Sequence, residues 1–145
     1  MPYVEATDTD LRAFQKRGGK LLMYHGWADP VVPPENTIQY YEGVERRLGG
    51  DTDNFLRLFM VPGMYHCDGA PGASTFDALG ALDTWVSSGK SPDRLLATHQ
   101  ENGAAIFSRP LCPYPQTPRW DGEHSVSSAA SFSCVLPDRG SSATR

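Results

Sequence analysis

Two short apolar runs frame the first half of the chain. Leu21, Leu22, Met23 and Tyr24 form one, and the stretch from Phe55 through Val61 forms the other. Both have the length and composition of buried strands, with Gly18-Gly19 leading into the first and Pro62-Gly63 breaking the second. Between them, Ile38, Tyr41, Val44 and Leu48 recur at helical spacing. This predicts a helix from Pro34 or Glu35 to Leu48, with proline suited to its first turn and Gly49-Gly50 as its stop. A short amphipathic helix is expected over 8–18, with Leu11 and Phe14 on one face and Asp8 or Thr9 as N-cap. A third is expected over 74–88, with Phe76, Leu79, Leu82, Trp85 and Val86 as its apolar face and Gly89 and Pro92 ending it. Residues 94–98 read as one more strand, at an edge. After residue 108 the pattern dissolves, because Pro110, Pro113, Pro115 and Pro118 oppose regular ladders.

Strand, helix and strand in that order are the signature of a parallel unit with a right-handed crossover. Two or three parallel strands are not self-sufficient, since a parallel sheet is covered on both faces and extended by neighbours. The expected class is therefore α/β, with residues 1–108 forming the C-terminal edge of a larger doubly wound sheet. Residues 109–145 are expected to form an irregular tail.

Composition narrows the picture. The chain has 145 residues, 39% of them hydrophobic, which is globular rather than disordered. Its 13 basic and 17 acidic residues give a net charge of −4, without a basic cluster, which argues against a nucleic-acid or anionic-membrane surface. No apolar run approaches the ~20 residues of a membrane helix. Met1 to Glu5 show neither the basic nor the apolar region of a signal peptide. Cys112 and Cys134 lie in the tail, 22 residues apart, where a disulfide would contribute about 3 kcal/mol through the restricted unfolded chain. Metal binding is the weaker alternative, because no Cys-x-x-Cys or paired-histidine spacing accompanies them. Cys67 is left over, and an odd cysteine asks for a partner outside the chain.

The chemistry concentrates just past the two strands. Asp29 follows the first, in His25-Gly26-Trp27-Ala28-Asp29-Pro30, and His66 follows the second, in Pro62-Gly63-Met64-Tyr65-His66-Cys67. Asp29 has two readings: a cap of its own turn, as Asp-Pro favours, or the acceptor of a catalytic histidine's Nδ1–H. His66 is either a loop histidine bonded to backbone or a proton relay at a strand's carboxyl end. Both loops lie on the same edge of a parallel sheet, which favours the pair. An acid and then a histidine on consecutive strand ends is how an α/β-hydrolase completes a Ser…Asp…His order, yet no Gly-x-Ser-x-Gly turn occurs in the chain. His25 reads as a strand-end histidine satisfied by local backbone, and Trp27 as packing beneath the Asp29 loop or as an aromatic lining a substrate cleft. His99 and His124, without an acidic or cysteine partner at useful spacing, read as solvated or structural. Met60 and Met64 read as core and rim.

Several blocks in order then resemble the C-terminal part of the tannase and feruloyl esterase family. They are Gly18-Gly19-Lys20-Leu21, Tyr24 through Pro30, Arg57 through Met64, His66-Cys67, Phe76-Asp77, Trp85-Val86 and Ser108 through Pro115. Cys67 and the last block count against a peptidase of the wider superfamily. The resemblance implies a serine carboxylic-ester hydrolase acting on small phenolic esters such as galloyl or feruloyl esters, in which Asp29 is the triad acid and His66 the general base. It implies that Cys67 bridges to a cysteine beside a nucleophilic serine, both upstream of residue 1, and that Cys112 pairs with Cys134. It further implies a secreted or periplasmic location and no cofactor, the family's calcium site belonging to a lid domain that precedes this segment. The alternative is a non-catalytic remnant, truncated or dependent on the missing N-terminal part or another chain.

Overall fold

The computed structural model describes residues 6–49, 52–67 and 71–138. Met1 to Glu5, Gly50 and the end of the tail, which enter the readings above, lie outside those limits.

The parallel unit forms as the periodicity predicts. Strand β1 (Leu21–Gly26) leads through helix α2 (Pro34–Leu48) to β2 (Leu56–Val61), and the two strands pair in parallel from Leu21 with Leu56 to Gly26 with Val61. Side chains alternate across a strand, so β2 feeds two cores. Leu56, Leu58 and Met60 pack with Tyr41 and Val44 of α2, whereas Phe59 and Val61 pack with Met64, Ala73, Leu95, Ala97 and Leu111. Burial on both faces is why the 55–61 run is apolar apart from Arg57, whose side chain pairs with Asp53.

Two expected helices are shorter than their patterns. Helix α1 covers only Arg12–Lys16, and Asp8 bonds the Asp10 N–H instead of capping it. Helix α3 runs from Ala78 to Ser88, with the Asp77 carboxylate accepting from the Gly80 N–H as its N-cap. Its apolar face is only partly covered: Trp85 is fully buried, but Leu79 and Val86 are 78% and 62% exposed. No described segment stands opposite them. No described helix is long and apolar enough to cross a membrane.

The second half departs most from expectation. The third strand does not extend the parallel sheet. It becomes β3 (Leu95–Glu101), antiparallel to β4 (Ala104–Leu111), which continues across position 108. The turn is Asn102-Gly103, with φ of 51° and 80°, the positive pair that a two-residue hairpin of type I′ needs. The tail is also less irregular than its prolines suggest. Strands β5 (Thr117–Trp120) and β6 (Phe132–Val135) pair antiparallel, with Pro118 opposite Cys134, and Cys112 is disulfide-bonded to Cys134. The Arg109 guanidinium lies 4.8 Å from the Phe107 ring and 4.7 Å from that of Phe132, fastening hairpin to tail. On the other side, Tyr114 donates its backbone N–H to Leu58 and its hydroxyl to Glu42. Burial and that carboxylate push the Tyr114 phenol up to about 12.

Candidate active site

The loops after β1 and β2 meet at Gly26. A Cβ at this position would collide with the Met64 carbonyl oxygen and stand 2.7 Å from that of Tyr65, so only glycine lets the two backbones approach. Two hydrogen bonds lock the contact: Trp27 N–H to the Val61 carbonyl at 3.0 Å and Ala28 N–H to that of Met64 at 3.1 Å. Backbone thus occupies the space beneath the Asp29 loop where Trp27 was expected, and the indole is instead 46% exposed.

This junction carries Asp29 to His66. The His66 Nδ1 lies 2.8 Å from Asp29 Oδ2. The other oxygen, Oδ1, accepts the N–H groups of Val31 and Val32 at 2.8 and 3.0 Å. The carboxylate thus makes both contacts, one on each oxygen: Oδ1 caps its own turn and Oδ2 faces the His66 ring. Burial of the carboxyl pulls its pKa upward, but the Val32 N–H, the His66 hydrogen bond, the Val31 N–H and the His66 charge outweigh it. The acid is held well below the usual carboxylate range.

A carboxylate accepts, so His66 Nδ1 carries the proton and its Nε2 is left as the basic nitrogen. The His66 side chain is 48% exposed against 4% for Asp29: an accessible ring on a sequestered acid. An open cleft of about 340 Å³ surrounds the pair, lined by Tyr24, His25, Val32, Met64, Tyr65 and Cys67 among others. Cys67 is exposed and unbridged among the described residues, in the left-handed region at φ 71°. No serine is among the described residues that line the cleft. Among the described residues no group of three or more His, Cys, Asp or Glu is placed to hold a metal ion.

The remaining candidates fall elsewhere. Met60 and Met64 are both buried in the cores. His99 and His124 do have acidic partners, contrary to expectation. His99 stacks on Phe107, with Nδ1 on the Gly72 carbonyl and Nε2 3.4 Å from Glu101, whereas His124 sits 2.7 Å from Asp121 on an exposed turn. Both are local structural contacts. His25 is the residue most misjudged: side chains, not backbone alone, satisfy it. Its Nδ1 is 2.7 Å from the Thr37 hydroxyl and its Nε2 is 3.1 Å from Asp29 Oδ2. The His-x-x-x-Asp spacing was a visible signal for the second contact, but nothing in the sequence marked Thr37.

Residues 1–135 match the family described as tannase and feruloyl esterase. The chain belongs to this family. It is 44% identical over 140 residues to the mono(2-hydroxyethyl) terephthalate hydrolase of Piscinibacter sakaiensis, a match covering 94% of this chain and 23% of that protein. A probable feruloyl esterase of Arthroderma benhamiae is 40% identical, with 89% and 25% covered. Among solved structures, feruloyl esterase B from Aspergillus oryzae superposes with a TM-score of 0.82 at 31% identity, covering 89% of this chain and 29% of that one. The chain spans about a quarter of the length of such relatives, and its family is one of ester hydrolases.

Proposed function

We propose that this chain supplies the acid and the base of a serine carboxylic-ester hydrolase for small phenolic esters, of the galloyl or feruloyl kind. The observation that carries the reading is the 2.8 Å contact between His66 Nδ1 and the sequestered Asp29, with both residues lining an open cleft. A serine from outside these 145 residues attacks the ester carbonyl carbon, and His66 Nε2 takes its hydroxyl proton. The tetrahedral intermediate collapses, the carbon–oxygen bond to the alcohol breaks, and His66 protonates the departing oxygen. Water repeats the cycle on the acyl-enzyme, releasing the carboxylic acid. Asp29 holds the ring in the Nδ1–H form and stabilises the imidazolium. No redox cofactor enters these steps.

In this reading β1 and β2 form the C-terminal edge of an α/β-hydrolase sheet within residues 1–108, and the described part of the 109–145 tail packs against it, stapled by Cys112–Cys134. Cys67, beside the base, is the half-bridge to a cysteine next to that serine. The Cys112–Cys134 bond suits an oxidising compartment, secreted or periplasmic. A second reading, a remnant without catalysis unless a partner is supplied, draws on the exposed Tyr24, Leu79 and Val86 around β1 and α3.

The test is a graft. Residues 6–138 replace their counterpart in the terephthalate monoester hydrolase, and hydrolysis of its substrate and of methyl ferulate is measured. The graft is expected to turn over and the isolated chain to be inactive. Activity of the isolated chain that survives His66→Ala would overturn the reading, as would a folded graft that His66→Ala leaves unchanged.

A further inference from the structure

Asp29 is gripped by more than its turn. Each carboxylate oxygen takes two contacts: Val31 and Val32 N–H on Oδ1, and the two histidines, His66 Nδ1 at 2.8 Å and His25 Nε2 at 3.1 Å, on Oδ2. Four acceptor sites are thereby filled, which is the capacity of a carboxylate. The His25 Nε2 also lies 3.2 Å from the Val32 carbonyl. Two acceptors at one nitrogen mean that Nε2 carries the proton. Nδ1 is then free to accept the Thr37 O–H at 2.7 Å. The resulting chain of donors runs from Thr37 to His25 to Asp29, where His66 donates from the other side.

The two histidines differ in exposure, 12% for the His25 side chain and 48% for His66. With both nitrogens engaged and its proton aimed at Asp29, His25 has no free base to offer a substrate. Its contribution is geometric. The Cβ–Cγ torsion of an aspartate is broad, so two N–H donors on Oδ1 leave the direction of Oδ2 soft. The half-exposed His66 ring, itself able to turn, cannot fix it. A second donor on a well-anchored strand residue can.

We propose that His25, braced by Thr37 in the first turn of α2, is a positioning residue that aims Asp29 Oδ2 at His66 Nδ1. It thereby holds His66 in the Nδ1–H form with Nε2 turned to the cleft. The proposal rests on reading His66 as the general base only for its catalytic consequence. The geometric part stands by itself.

Two measurements test it. Long-range proton–nitrogen NMR of the 145-residue chain, at a pH where both rings are neutral, should show His66 as the Nδ1–H tautomer and His25 as Nε2–H. In His25→Phe, His66 should revert to a mixture dominated by Nε2–H. His25→Gln, whose amide can still donate to Asp29, should preserve Nδ1–H, and Thr37→Val should lose it in part. His66 remaining Nδ1–H in a folded His25→Phe chain overturns the proposal, as does His25 itself found as Nδ1–H. In the graft, His25→Phe should lower kcat by about 10–100-fold with little change in KM, and Gln should recover most of it. A graft in which Phe leaves kcat unchanged also overturns it, even where the chain variant fails to fold. An inactive wild-type graft whose His66 tautomer still follows residue 25 would sink the catalytic reading and leave the positioning role standing.

Discussion

The β1–β2 pair and the β3–β4 hairpin are both two-stranded, and they solve opposite problems. The hairpin closes on itself through a two-residue turn, and the β5–β6 ribbon beside it is tied down by a disulfide. The parallel pair is joined by a long crossover. β2 is held on one edge by β1 and on the other by the Phe59–Pro113 bridge, whereas the far edge of β1 pairs with no described residue. Tyr24 at 49% exposure, with Leu79 and Val86, gives that side an apolar surface facing water. The candidate chemistry sits entirely on this unfinished unit, and the self-contained half carries none of it. The two parts share the core in which Phe59 and Val61 pack on Leu95, Ala97 and Leu111, but the Asp29–His66 pair belongs to the parallel unit alone, so damage at the pair and loss of the tail's disulfide should read out separately.

The largest effects are expected on the parallel unit. His66→Ala in the graft should lower kcat by about 10⁴-fold or more, and Asp29→Asn by about 10⁴-fold with the fold retained. A near-normal rate for Asp29→Asn would return the acid to a capping role. Gly26→Ala should separate the two loops, abolishing activity and the His66–Asp29 contact while hairpin amide resonances stay in place. Resonance changes that spread evenly over both halves would erase the distinction drawn between them.

On the other side, Cys112→Ser should cost about 3 kcal/mol in denaturant unfolding, the value for a loop of 22 residues, and leave the His66 tautomer unchanged. A tautomer that shifts with the disulfide would couple the halves. Asp29 predicts a pH signature of its own. Its folded pKa lies below the ordinary 3.8, so the stability it contributes is fully present above that value and is lost as pH falls through the folded pKa. The Asp29 carboxyl carbon should show no titration step between pH 5 and pH 8, and a midpoint above 4 would contradict the hydrogen bonds that hold it. The smallest effect is expected for Leu79→Gln, within about 0.5 kcal/mol in the isolated chain, because its side chain covers nothing there.

The same division explains what the sequence revealed. The β1, α2 and β2 elements were legible because two-sided burial of β2 and one-sided burial of α2 leave their periods directly in the pattern. Asp29 and His66 were legible as a pair because parallel strands place their following loops on one edge. The hairpin was missed although Asn102-Gly103 announced it, since Pro110 seemed to forbid a strand. Pro110 in fact sits in β4 opposite Leu96, and Pro118 in β5, in two-stranded sheets where a proline's missing donor can face outward. The α3 face misled for the opposite reason, because its apolar pattern exceeds what the described chain covers. The role of His25 was legible only in part: the His-x-x-x-Asp spacing marked its contact with Asp29, but the Thr37 contact is made by a side chain on the next helix.

The grip on Asp29 has a consequence for the order of assembly. Val31, Val32, His25 and Thr37 all lie within the thirteen positions from 25 to 37, whereas His66 reaches the acid across 37. Contacts between near neighbours in sequence form with the smallest loss of chain entropy. During refolding, protection at Val31 and Val32 should accordingly precede closure of the His66 loop, so that the acid waits in place for its base.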